Sequence, residues 1–511
     1  MDTRLRRPRA GRWRVIAAGA VLGIAVIGVG LVDAGPLPAG ASPSTQLYVS
    51  ATGSPAGPCS KSRPCKSVGR AVIVANHVPF TDTAVTINVG RGRFVTHLDF
   101  PDQPYPEPKL TILGASPSST TLTAAGAGSV LIAFADAPEI TIEDLTVSGA
   151  TGKANEGGGA VHDGGNLMNF VDVTFSHNKS PAYSGGAVDD DGGAMEITDS
   201  RFVDNRVSST TFGGGAISEE GGTLTITGSL FTGNSVENAG SGGAVYVNDG
   251  HLSILDSTMT DNSATGAATG GSIGVDEAGR TTVIGSTINA NRAAGAGGLA
   301  AGAGGSSILF GGDILLGNLG AGGSVCSGGG DKDLGYNVID TSTCSMGART
   351  KVASEAEVGL LPLGANGGPT ETERIKKTSA AHDAVPVAAK MAGRSFCAGV
   401  DQRGVPRRQG PATRCDSGSY QFAPPVITAI LPDKGAPGAG VTIHGFGFDF
   451  VALRFGAAAP NFAVSGDTRI STGVPGLGVG EVSIKLSNPD GKVSTRFRVL
   501  PRPTKDRIAL P

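Results

Sequence analysis

Between residues 157 and 318 apolar and polar positions recur with a fixed period. Each period opens on glycines and an aliphatic residue, passes an acidic turn, runs through an alternating stretch such as Leu224 to Thr227 or Leu252 to Leu255, and closes on Asn. The opening glycine falls at Gly159, Gly186, Gly215, Gly243, Gly271 and Gly298, so successive starts lie 27, 29, 28, 28 and 27 residues apart. The close keeps step: Phe175 with Asn178, Phe202 with Asn205, Phe231 with Asn234, Met259 with Asn262, Ile288 with Asn291 and Leu315 with Asn318.

A repeat this short cannot bury its own apolar face and must stack on copies of itself. Gly, Thr, Ser and Asn weaken helices, and the alternation predicts strands with one inward face. One coil of a parallel β-solenoid per period follows, with Val161, Val188, Ile217, Val245 and Ile273 stacked inside. With strands about 4.8 Å apart, six coils give a rod about 30 Å long. The Asn row (Asn178, Asn205, Asn234, Asn262, Asn291, Asn318) is assigned a structural role, each side chain tolerating a left-handed corner and bonding to adjacent coils. The paired glycine-aliphatic and Phe-x-x-Asn motifs resemble repeats of the polymorphic outer-membrane proteins, which implies surface display and adhesion. The pattern departs from that family at Met259, Ile288, Leu315, Ser272 and Leu299.

Upstream, Leu47 to Ser50 reads as a strand, and Ser67 to Asn76 as a short helix with Val68, Ala71, Val72 and Ala75 on one face. This opening resembles the N-terminal cap of pectate-lyase-like β-helices. Residues 85–89, 110–113, 130–132 and 140–142 read as irregular early coils, which places the solenoid at 46–357. The expected fold is therefore all-β: a right-handed parallel β-helix, pectate-lyase-like, with an N-terminal helical cap. Segments 364–372, 379–384 and 401–420 resemble the choice-of-anchor Q domain, which implies a C-terminal cap over 358–422 and an extracellular location; His382 and Ser417 depart from its pattern. After Pro424 and Pro425, short alternating strands separated by Gly, Pro and Asn turns predict a small sandwich. Val426 to Pro432, Val441 to Phe448 and Val482 to Ile484 resemble an IPT/TIG immunoglobulin-like domain, expected over 424–500 and followed by a flexible tail, 501–511.

At the start, Arg4, Arg6, Arg7, Arg9, Arg12 and Arg14 precede an apolar run over 15–32 and a small-x-small site ending at Ala41. This reads as a secretory signal over 1–41, or as an uncleaved signal anchor. Six cysteines in an exported chain suggest disulfides. Of about fifteen connectivities, proximity favours Cys59–Cys65, Cys326–Cys344 and Cys397–Cys415.

The whole chain carries 41 Lys and Arg against 44 Asp and Glu, a formal charge of −3. Within 157–300 there are 16 acids and 5 bases, a local −11, which excludes nucleic acid as a partner of the repeat body. The acids cluster in the turn after each aliphatic residue: Asp163 beside His162; Asp189, Asp190 and Asp191; Glu219 and Glu220; Asp249; Asp276 and Glu277. Stacking places them on one side of the rod. They read in three ways: a solvated acidic turn with outward side chains, a binding ladder for Ca²⁺ or a cationic partner, or a glycosidase or lyase site using Asp163, Asp189, Asp190 or Glu220. Of the polygalacturonase motifs the chain has Asp189-Asp190, Gly250-His251 and Arg374 to Lys376, but no Asn-Thr-Asp. A nucleophile elbow and a Walker loop are also missing from the sequence.

The function this predicts is an exported, non-catalytic adhesion or glycan-binding scaffold. The alternatives are a polysaccharide lyase or hydrolase on the acidic face and a structural envelope spacer. No cofactor beyond Ca²⁺ and no membrane contact beyond the leader are expected.

Overall fold

The computed structural model describes residues 44–502 apart from 79–83, 101–108, 135–136, 154–156, 210–212, 239, 266–269, 303–304, 329 and 341–342; the leader with its site at Ala41, and the tail from 503, lie outside the described residues.

The repeats form a parallel β-solenoid. One coil comprises Val188–Asp190, Ala194–Thr198, Arg201–Val203 and Arg206–Val207. The next comprises Ile217–Glu220, Thr223–Thr227, Leu230–Thr232 and Ser235–Val236. Pairing is parallel and in register, Val188 on Ile217, Met195 on Leu224, Phe202 on Phe231 and Val207 on Val236. Like residues therefore stack: the Phe175 and Phe202 rings lie 4.9 Å apart, and Phe202 and Phe231 4.6 Å apart with planes 2° from parallel. Met259, Ile288 and Leu315 continue this buried column, and Val161, Val188, Ile217, Val245 and Ile273 form another. The opening glycines allow close coil contact, since a Cβ on Gly186 would stand 2.0 Å from the Gly215 carbonyl oxygen.

The Asn row is fully hydrogen-bonded. Asn205 Oδ1 accepts from both the backbone N–H (3.1 Å) and the side-chain Nδ2 (3.0 Å) of Asn178. The pattern repeats through Asn234, Asn262 and Asn291 to Asn318. The expected left-handed corner, however, belongs to the preceding residue: His177, Asp204, Gly233, Asp261, Ala290 and Gly317 have φ of 53° to 67°. That residue makes the bend, which leaves each Asn free to point inward. A second row follows the neighbouring corner. Ser229 Oγ accepts from Ser200 N, Ser257 Oγ from Ser229 N, Ser286 Oγ from Ser257 N, and Asp313 Oδ1 from Ser286 N, at 2.7 to 3.2 Å.

The helix Val68–Ala75, capped by Ser67, buries Val68, Ala71, Val72 and Ala75 beside the first strands. Residues 358–422, expected as a C-terminal cap, instead run along the flank of the rod. Thr370 donates to Gly228 O (2.8 Å), Gln402 accepts from Thr258 (2.6 Å), Glu373 from Asn289 (2.8 Å), and Ser419 bonds Thr287 (3.0 Å). Three successive coils are thus covered, because their outward Thr, Asn and small apolar positions match this irregular segment. Tyr420 and Ile375 pack against Ile314 and Val338.

Beyond it stand two four-stranded sheets. One is Val426–Leu431, Gly440–Phe446, Arg469–Gly473 and Phe462–Ser465; the other is Lys434–Gly435, Gly491–Val499, Gly480–Asn488 and Ala452–Phe455. They close over Ile443, Phe455, Ile470, Ile484, Leu486 and Phe497. Asp490 ties this sandwich to the flank by accepting from Tyr420 Oη (2.6 Å) and Ala423 N (2.9 Å). Among the described residues no helix is long and apolar enough to cross a membrane.

Candidate functional site

The acidic corner lies on three stacked strands, Val161–Gly164, Val188–Asp190 and Ile217–Glu220. Register aligns His162 with Asp189 and Ser218, and Asp163 with Asp190 and Glu219. Side chains alternate across a strand, so the inward Val161, Val188 and Ile217 commit the residues two positions on to the interior as well. Asp163, Asp190 and Glu219 are accordingly fully buried. This corrects the expectation of one outward acidic ladder: the run of acids is split by the wall of the solenoid.

The inward carboxyls cap the corner. Asp163 Oδ1 accepts from Asn166 N (2.8 Å) and Asp190 Oδ1 from Gly193 N (3.0 Å). Loss of water and the neighbouring Asp190 push Asp163 up to about 7. Burial, with the Asp190 charge and hydrogen bond, pushes Glu219 up to about 10. Burial also raises Asp190, opposed by its hydrogen bond to Glu219. The two carboxyls therefore hold a proton between them at the corner. In the next coils Val247 and Val275 occupy the same position, and the stack of acids ends.

On the outer side, Asp189 Oδ1 accepts from Ser184 Oγ (2.6 Å), and its Oδ2 lies 3.4 Å from His162 Nδ1. Asp189 is nevertheless almost buried, since Gly157 backs directly onto it and a Cβ there would meet Oδ2 at 1.5 Å. Burial disfavours the His162 cation, but Asp189, Asp191 and Asp163 outweigh it and raise its pKa. Asp191 is exposed, and one ligand atom each from His162, Asp189 and Asp191 lies within 4.8 Å of the others. An imidazole with two carboxylates suits a first-row divalent ion. It does not suit the Ca²⁺ ladder expected from the sequence, which needs six or more oxygens converging on one point, whereas here Asp163, Asp190 and Glu219 face away from Asp189 and Asp191.

The remaining acids diverge. Glu220 accepts from Ser184 Oγ at 3.3 Å. Asp249 and Glu277 are exposed turn residues with φ of 58° and 52°. Asp276 accepts from Tyr246 Oη at 3.1 Å. The polygalacturonase-like pieces do not assemble: His251 sits on another face beside Arg280, and Arg374 reaches Pro489 O in the sandwich. The structure forms Cys59–Cys65, Cys326–Cys344 and Cys397–Cys415.

Residues 425–498 match the IPT/TIG domain family. No curated protein matches the chain. Among solved structures it is similar to a rhamnogalacturonan lyase, at 12% identity over 60% of this chain and 87% of that one, with a TM-score of 0.30. It is also similar to a pectin methylesterase from Erwinia chrysanthemi, at 12% identity over 61% and 94%, with a TM-score of 0.26. The chain is a parallel β-solenoid protein with a C-terminal IPT/TIG domain.

Proposed function

We propose that this is an exported scaffold that binds glycan or another cell-surface ligand without turning it over. The observation that supports this most is the inward placement of Asp163 and Asp190. Glycoside hydrolysis uses two carboxyls about 5 to 9.5 Å apart, flanking the bond from solvent, and these two are spent on corner caps. Three disulfides suit an oxidising compartment. The chain from Ser42 onward, incubated with acidic and neutral polysaccharides with and without Ca²⁺, is expected to release neither new reducing ends nor unsaturated products, and to bind at least one polymer saturably.

A second reading, a polysaccharide lyase or hydrolase, is favoured by the His162, Asp189 and Asp191 group, which the exposed Asp191 opens to solvent. Turnover that disappears in Asp191→Asn and His162→Ala would establish it in place of the first.

A further inference from the structure

The Lys and Arg residues of the C-terminal sandwich are distributed unevenly. Residues 425–500 contain seven. Six of them, Lys434, Arg454, Lys485, Lys492, Arg496 and Arg498, are exposed on the strands of one sheet. They alternate with residues that point into the core: Leu453 and Phe455 flank Arg454, Ile484 and Leu486 flank Lys485, and Phe497 and Val499 flank Arg498. All six therefore project from the same outer face. Of the five acids in this stretch only Glu481 shares these strands, 3.8 Å from Arg496 and paired in register with Arg498. Asp433, Asp449, Asp467 and Asp490 lie outside the four strands of this sheet, and Asp490 is engaged by Tyr420 and Ala423.

The face places like charges side by side. Arg454 is directly opposite Lys485, and Lys434 is in register with Arg498. Such neighbours oppose sheet formation, and the single carboxylate on these strands, Glu481, does not offset all six cations. An anion laid across the strands would. We infer that this face binds an acidic polysaccharide, a polyuronate chain whose carboxylates span the row of cations. Guanidinium forks match carboxylates in two-point contacts, and Ser487 and Ser494 stand exposed between the cations as partners for sugar hydroxyls. The phenylalanines of these strands, Phe455 and Phe497, are buried, so the face lacks the stacking platforms with which single-stranded nucleic acid is held. No large apolar side chain stands exposed on the four strands themselves for insertion into a bilayer.

The inference deepens the scaffold reading and rests on it, but involves a different part of the chain. The test uses the chain from Ser42 onward, titrated by fluorescence anisotropy with a labelled polyuronate, its neutral methyl ester, duplex DNA and anionic phospholipid vesicles, each at low and high salt. Saturable binding of the polyuronate is expected. It should weaken at least tenfold in Arg454→Glu/Lys485→Glu and in Arg496→Gln/Arg498→Gln, fall with salt as screened charges require, and be absent for the ester. Unchanged melting temperatures would show that both variants fold. Equal binding by wild type and both variants would overturn the inference and leave the scaffold reading standing. Binding of no glycan would overturn both. Tighter binding of DNA or vesicles than of polyuronate would assign the face to that partner instead.

Discussion

Arg407 and Asp256 are 151 residues apart in sequence and joined by a salt bridge in which Arg407 Nε lies 3.1 Å from Asp256 Oδ1. The same guanidinium donates to the carbonyls of Gly285, Gly418 and Asp416 at 3.0, 2.9 and 3.2 Å and lies over the Phe396 ring at 4.4 Å. Arg407 is among the largest fully buried side chains of the chain. It fastens the flanking segment to two adjacent coils.

Replacing Arg407 by Met is expected to destabilise the chain by about 3 to 5 kcal/mol, because three buried carbonyls lose their donor and the partly buried Asp256 carboxylate loses its partner. Urea unfolding of Arg407→Met and of Arg407→Met/Asp256→Leu checks this. The second variant should recover part of the loss, since it removes the stranded charge.

Asn234→Ala strands the backbone N–H and amide of Asn205, which both donate to Asn234 Oδ1, and the Phe202 carbonyl that Asn234 Nδ2 serves. At about 1 to 3 kcal/mol for each buried group left unpaired, several kcal/mol should be lost. Thermal unfolding would also show a smaller loss for Asn238→Ala, which removes an exposed hydrogen bond to the Ser208 carbonyl.

Phe202→Ala opens the middle of the ring stack between Phe175 and Phe231 and should cost about 3 to 5 kcal/mol. Phe202→Leu, which keeps most of the volume, should cost less than half of that in the same unfolding experiment.

The buried carboxyls make stability depend on pH. Asp163 titrates near 7 and Glu219 near 10 in the folded chain, above their unfolded values of about 4. The native state therefore holds more protons than the unfolded one, and stability falls as pH rises. The decline runs from about 4 to 7 for Asp163 and continues to about 10 for Glu219. His162, also raised, acts in the same direction above its ordinary value. Melting temperatures from pH 5 to 9 should decrease. Glu219→Gln, which keeps a donor toward Asp190 without an ionisable proton, should flatten the alkaline part of the curve; an unchanged slope would remove Glu219 as its cause.

The solenoid was legible because its markers are chemical as well as periodic: the glycines are needed where coils touch, and the Asn residues where corners turn inward. The Ser row was equally periodic, at Ser200, Ser229, Ser257 and Ser286, but Ser and Thr are so frequent in these strands that it did not stand out. The acidic corner was misread for a different reason. Adjacent acids such as Asp189 and Asp190 look alike in sequence, while a strand sends neighbours to opposite faces, and only the register with Val188 decides which is buried. The flank was hidden because its partners lie far upstream, 84 residues from Glu373 for Asn289 and 144 from Gln402 for Thr258, and no local pattern links them.

Each amide from Asn178 to Asn291 donates both to the Asn Oδ1 of the coil that follows it and to a carbonyl of the coil before it. The joint between coils 205 and 234 thus presents the same donor and acceptor pair as the joint between 262 and 291. A duplicated coil inserted at the joint between 178 and 205, ahead of the coils that the flank binds, meets matching partners above and below. The row makes rod length a variable that can change by gain or loss of whole 27- to 29-residue units, in steps of about 4.8 Å, while the capped start and the flanked end keep their own chemistry.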